Sequence, residues 1–218
     1  MNIGTISAIG RPFGLAFLSG VNAYLPMLAF AVASRWFHLF GVNPNFAFVT
    51  QDWCIAVLAV LTILDFVADK IPLVDHVWNG VHKVVRPVMG AIVAGASFGR
   101  VPAVGTVTIG GHEFGMVVAA VSSSHALEIG LVVVLVIGGV LAAMSHTAKT
   151  TTRWVSTFTT AGVFNMALSV VEDVMVFIGI LLAFFVPLIM LIVIVVFVVV
   201  VGPRLLRVWR GLAGRRLL

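Results

Sequence analysis

Long apolar runs with short polar or basic breaks fill most of the chain, and their length suits helices rather than strands. The first covers Pro12 to about Ser34 and contains Ser19, Asn22 and Pro26. At 100° per residue these fall within a sector of roughly 60°, a polar stripe weakened locally by the proline. Such a stripe would bond a neighbouring helix or line a path for solvent or ligand. The first loop, Arg35 to Trp53, has Trp36 and Trp53 at its ends, where indole rings favour the headgroup level. A second run, from about Cys54 to Ile71, sets Asp65 and Asp69 one turn apart on one face. Lys70 sits where it can snorkel, and Pro72 marks the exit.

Leu73 to Arg86 differs in pattern. Val74, Val77, Trp78, Val81, Val84 and Val85 recur at helical spacing, with Asp75, His76, Asn79, His82, Lys83 and Arg86 on the other sides. This predicts an amphipathic helix over residues 73–86, lying in the interface or covering the bundle as a lid. Surface anchoring accounts for His76 and Lys83, whereas His82 and Arg86, one turn apart, are placed to face the acids. Pro87 then begins a segment rich in Gly and Ala, suited to close helix contact but too short to span. Residues 100–113 fit a broken helix, an extended loop or a re-entrant turn, and Met116 to Val121 would complete a third crossing.

Ile129 to Ser145 predicts a fourth span that leads without a break into HTAKTTTRWVST. There His146, Lys149 and Arg153 share one face, a stripe of cations suited to carboxylates, phosphate or lipid headgroups. Further on, Asn165, Ser169 and Glu172 share a face with Asp173 beside them, echoing the polar stripe of the first span and the acids of the second. A diverged internal repeat would explain the echo, as in transporters whose halves meet around a midplane site. Val174 to Val201 is the longest apolar run, with Pro187 as a kink.

Composition turns these runs into a class. With 61% hydrophobic and 10% charged residues, the chain cannot cover a soluble globule with polar surface. The fold expected is all-α: a polytopic integral membrane helix bundle with about six spans. Residues 1–203 would form the transmembrane domain and residues 204–218 a basic tail with Arg204, Arg207, Arg210, Arg215 and Arg216. The positive-inside rule then places the C-terminus in the cytoplasm. The net charge of +5 comes with no nucleic-acid motif, so the expected partners are membrane lipids and either a second copy or a membrane-complex subunit. Met1 to Gly10 lacks the basic region of a signal peptide, and the single Cys54 belongs to no disulfide or metal-ligand pair.

Several blocks together resemble the family known as domain of unknown function 4126, a group of bacterial membrane proteins. They are GLAFLSGVNAYLPMLA at 14–29, LDFVADKIPLVDHVWNGVHKVVRPVMGA at 64–91, GGVLAAMSHTAKTTTR at 138–153 and FNMALSVVED at 164–173. Where that family usually has Ser-Pro before the Phe-Asn of the last block, this chain reads Thr-Ala-Gly-Val. The resemblance implies a polytopic protein of the bacterial inner membrane and carries no activity.

Function therefore has to come from the residues. A small transporter or channel would use Asp65, Asp69, Glu172 and Asp173, partly balanced by Lys70, Lys149 and Arg153, with Asn22 and Asn165 as neutral ligands and His82, Arg86, His146 and Ser169 completing the polar cluster. An accessory subunit would use the same charges as permanent pairs that fix helix register. An enzyme is the least supported class, since the chain has no HExxH, no Gly-x-Ser-x-Gly, no phosphate loop and no other motif that calls for a cofactor.

Overall fold

The computed structural model describes residues 3–70, 72–98, 107–109, 112–114, 124–160 and 163–214. The described residues form seven α-helices: α1 (Ile3–Ser19), α2 (Leu25–Arg35), α3 (Asp52–Ala68), α4 (Pro72–Ser97), α5 (Ser124–Thr160), α6 (Val163–Phe185) and α7 (Pro187–Gly214). A 3-10 helix, Pro44–Thr50, precedes α3. Between α4 and α5, β1 (Val107–Ile109) pairs antiparallel with β2 (His112–Phe114), so this part of the connection is extended chain.

Among the described residues, three helices are long and apolar enough to cross a membrane, over Glu128–Trp154, Ala167–Phe185 and Pro187–Arg204. The pair Pro44–Thr50 and Asp52–Ala68, bent by 63°, would make a fourth. Only 17% of the apolar window of α7 is buried in the protein, and Val132, Val136, Val195 and Val199 each expose more than half their surface. So much outward apolar surface requires lipid rather than water. The chain is a membrane protein.

Several of the expected span boundaries fall elsewhere in the structure, for identifiable reasons. The first expected span is interrupted: α1 ends at Ser19 and α2 begins at Leu25. Asn22 Oδ1 accepts from the backbone N–H groups of Tyr24 (3.2 Å) and Leu25 (2.9 Å), satisfying donors at the start of α2. Pro26 lies in the first turn of α2, where its missing N–H costs no hydrogen bond. It starts a helix rather than kinking one. Residues 116–121, expected to complete the third crossing, lie outside the described residues. The stretch 154–171 straddles the end of α5 and the start of α6, so it is not one crossing helix. Pro187 does not kink a single long helix but opens α7 after the break at Val186.

The expected amphipathic helix over 73–86 is the first half of α4, which continues through Pro87 to Ser97. Lys83 is exposed on this half of the helix. Val81, Val84 and Val88 face outward, while His82 and Arg86 are completely buried.

Small residues let the helices close. Arg86 lies beside His146 and Gly95 beside Leu135, so α4 and α5 run antiparallel. A Cβ on Gly90 would meet the Ala142 methyl and stand 3.2 Å from the Ala16 carbonyl, while one on Gly138 would stand 2.6 Å from the Ala94 methyl. The α1, α4 and α5 backbones therefore approach closely at one level. On the other side of α1, Gly10 meets Pro187, Gly14 sits against Ala183 and Met190, Leu18 packs on Gly179, and Phe17 meets Phe197 edge-on at 4.8 Å. Both legs of the α6–α7 bend thus grip α1.

Gly90→Leu is expected to destabilise the protein by about 1–3 kcal/mol through overpacking at this contact. Gly130→Ala, at a position open to at least 4 Å, should be neutral or stabilising. Thermal unfolding in detergent, followed by loss of the monodisperse peak, distinguishes the two.

Candidate functional site

The α1–α2 break leaves backbone carbonyls outside any helix, and apolar surroundings make unpaired carbonyls costly. Cationic side chains from other helices fill this role. Arg86 Nη1, from α4, donates to the Gly20 carbonyl (3.3 Å), and Lys149 Nζ, from α5, donates to the Val21 carbonyl (2.9 Å). The Ser145 hydroxyl donates to the Phe17 carbonyl at 2.6 Å. A Cβ on Gly20 would collide with the Ser145 Oγ and the Ala142 carbonyl, so glycine is needed where the break meets α5.

These cations bring carboxylates with them, because buried charge must be compensated. Lys149 Nζ lies 2.7 Å from Asp69 and 3.2 Å from Glu172, and Arg153 Nη2 lies 3.3 Å from Asp69 and 2.7 Å from Glu172. Two cations of α5 thus share two carboxylates, one ending α3 and the other on α6. Nearer the exterior, Lys70 pairs with Asp173 at 3.2 Å.

Asp65 anchors the deeper half. Its Oδ1 accepts from the Trp78 indole at 2.8 Å, and it stands 3.5 Å from His82 Nε2 and 3.8 Å from Arg86 Nη2. His82 and Asp65 are each at most 1% exposed. Arg86 has only donors, so its 3.0 Å contact to His146 Nδ1 makes that nitrogen the acceptor and His146 neutral, with its proton on Nε2. Among the described residues, four carboxylates (Asp65, Asp69, Glu172, Asp173) face four basic side chains (Lys70, Arg86, Lys149, Arg153).

The structure therefore gathers Asp65, Asp69, Lys70, His82, Arg86, His146, Lys149, Arg153, Glu172 and Asp173 into one network. Asn22 shapes the break but contributes its side chain only to the start of α2. Ser169 is fully buried on α6, with no hydrogen-bond partner for its hydroxyl among the described residues. The Asn165 side chain lies outside the described residues. The proposed echo between the two stripes is one of residue types: the backbone is interrupted at 20–24, while α6 runs unbroken through 165–173.

Trp78, Tyr24, Ser145 and Gly20 belong to the site without having been singled out as site residues. Trp78 reads as part of the valine face, and its signal was the N–H that a buried indole must place. Tyr24 meets the His82 ring edge-on at 5.7 Å. Among the described residues no group of three His, Cys, Asp or Glu side chains is arranged to hold a metal ion.

A family model described as Domain of unknown function (DUF4126) matches residues 9–207. The chain belongs to that family. The match takes in every element of the ion-pair network, from the α1–α2 break to Asp173. No curated protein and no solved structure matches the chain.

Lys149→Met leaves Asp69 and Glu172 sharing one cation and the Val21 carbonyl without its donor. It is expected to cost about 3–5 kcal/mol. Lys70→Met, at a pair whose lysine side chain is 40% exposed, should cost less than about 1 kcal/mol. Parallel denaturation of both variants in one detergent checks the ordering.

Proposed function

We propose that this membrane protein is a small transporter of ions or small solutes, with its translocation site at the α1–α2 break and the charges around it. The observation that carries this reading is that an unwound backbone stretch and a charge-balanced cluster meet at the same place. Interrupted helices inside membrane proteins occur where irregular backbone lines a binding site. Here the cations holding the free carbonyls are the same ones that neutralise Asp65, Asp69 and Glu172. An entering charge can replace one partner of Lys149 or Arg153 while the other partner stays, so the network can open without isolating a buried charge. The basic end of α7, with Arg204 and Arg207 exposed, supports a cytoplasmic C-terminus in a bacterial inner membrane.

One observation favours an accessory, non-transporting subunit. Two surface recesses among the described residues, one beside Ala56, Val57 and Val60 and one between Ala29, Phe177 and Phe184, are apolar and do not touch the cluster. In that reading the ion pairs only fix helix register, and a second copy or a complex subunit covers the outer faces.

Charge movement in proteoliposomes on a solid-supported membrane, with steps of pH and of common ions, separates the two. Transport predicts currents in the wild type that fall to the level of empty liposomes in Asp65→Asn and Glu172→Gln, while both variants stay monodisperse. A silent wild type with aggregating variants would leave the accessory role.

A further inference from the structure

We propose that His82 and Asp65 form a binding site for a single proton, which rests on the transport reading by making that proton its coupling ion. His82 Nδ1 lies 2.8 Å from the Trp78 carbonyl, which can only accept, so Nδ1 carries a hydrogen and donates it. The other nitrogen, Nε2, faces Asp65 Oδ1 at 3.5 Å. With no further proton, a lone pair faces a carboxylate across that gap. Both atoms are acceptors, and the distance is too long for a hydrogen bond of ordinary geometry.

The same pair holds two buried atoms without hydrogen-bond partners among the described residues, His82 Nε2 and Asp65 Oδ2. An arriving proton therefore has two seats. On Nε2 it makes an imidazolium that donates to Asp65, and on Oδ2 it makes a neutral carboxylic acid. Either event adds one positive charge to the site. No bond other than that to the proton forms or breaks, and the proton comes from water.

The surrounding groups make that added charge consequential. From α4, Arg86 stands 3.8 Å from Asp65, while Lys83 is exposed. From α3, Asp69 lies one turn beyond Asp65, bound to Lys149 and Arg153. From α5, neutral His146 accepts from Arg86, and Lys149 links Asp69 to Glu172 of α6. Tyr24, at the start of α2, contacts the His82 ring. Protonation removes part of the compensation that Asp65 gives Arg86, which holds the Gly20 carbonyl of the break. Proton occupancy is thereby linked to the backbone interruption through one side chain.

The test is infrared difference spectroscopy of the full-length protein in lipid, perfused between acidic and alkaline buffer. The wild type should give a reversible carboxyl or imidazole signal that is lost or shifted in both Asp65→Asn and His82→Gln and retained in Glu172→Gln. Trp78→Phe removes one hydrogen bond to the carboxylate without changing charge and should raise the apparent proton affinity roughly tenfold. If Asp65→Asn does not fold, Asp65→Glu and Trp78→Phe carry the test: a shifted titration supports the site, and a wild-type titration in both overturns it. A wild-type signal in well-folded His82→Gln and Asp65→Asn also overturns it. A proton signal without transport currents removes the transport reading and leaves the site. Currents that ignore pH, with no proton signal, remove the site and leave transport.

Discussion

Compensation of charge in an apolar surrounding governs this molecule. Arg86 is completely buried, and a guanidinium cannot shed its charge. It therefore needs Asp65, and its Nη1 donates to the Gly20 carbonyl and His146. Lys149 is in the same position with Asp69, Glu172 and the Val21 carbonyl. Each cation ties a carboxylate to the broken backbone of the first hydrophobic run. The α1–α2 interruption and the ion pairs are thus mutually dependent: without the break the cations lose carbonyl partners, and without the cations the break leaves backbone groups unpaired.

That dependence explains the packing. Donors on α4 and α5 reach the break only if α1, α4 and α5 come together closely, which Gly20, Gly90 and Gly138 permit by presenting no Cβ at the crossing. The outward valines of α4 follow from the same arrangement. With His82 and Arg86 turned toward the cluster, Val81, Val84 and Val88 are left on the outer side of the helix beside the exposed Lys83. The α6–α7 bend supports the other side of α1 and supplies Glu172 and Asp173 at the end of the bundle where the acids of α3 lie.

Much of this was legible in the chain. Apolar runs of helix length determine a membrane helix bundle, because lipid accepts no unpaired backbone and so little charge excludes a soluble surface. Asp65, Asp69, His82, Arg86, Lys149, Arg153, Glu172 and Asp173 stand out for the same reason: charge inside an apolar run requires a partner. What lies within a few residues was less secure than composition. Pro26 and Pro187 read equally well as kinks inside a helix or as its first residues, since proline fits both settings, and only the backbone around them separates the two.

The sequence by itself determined the environment, the helical class and the list of charges that had to find one another. Tertiary structure decided which of them did, and where. Pairing Lys149 with both Asp69 and Glu172, turning Arg86 toward Gly20 and holding Asp65 against Trp78 and His82 are contacts between helices. Periodicity reports the face of a helix but not the neighbour that face meets. Whether the polar face of α4 looked toward water or inward depended on where α5 and α1 lay, and that is a property of the assembled bundle alone.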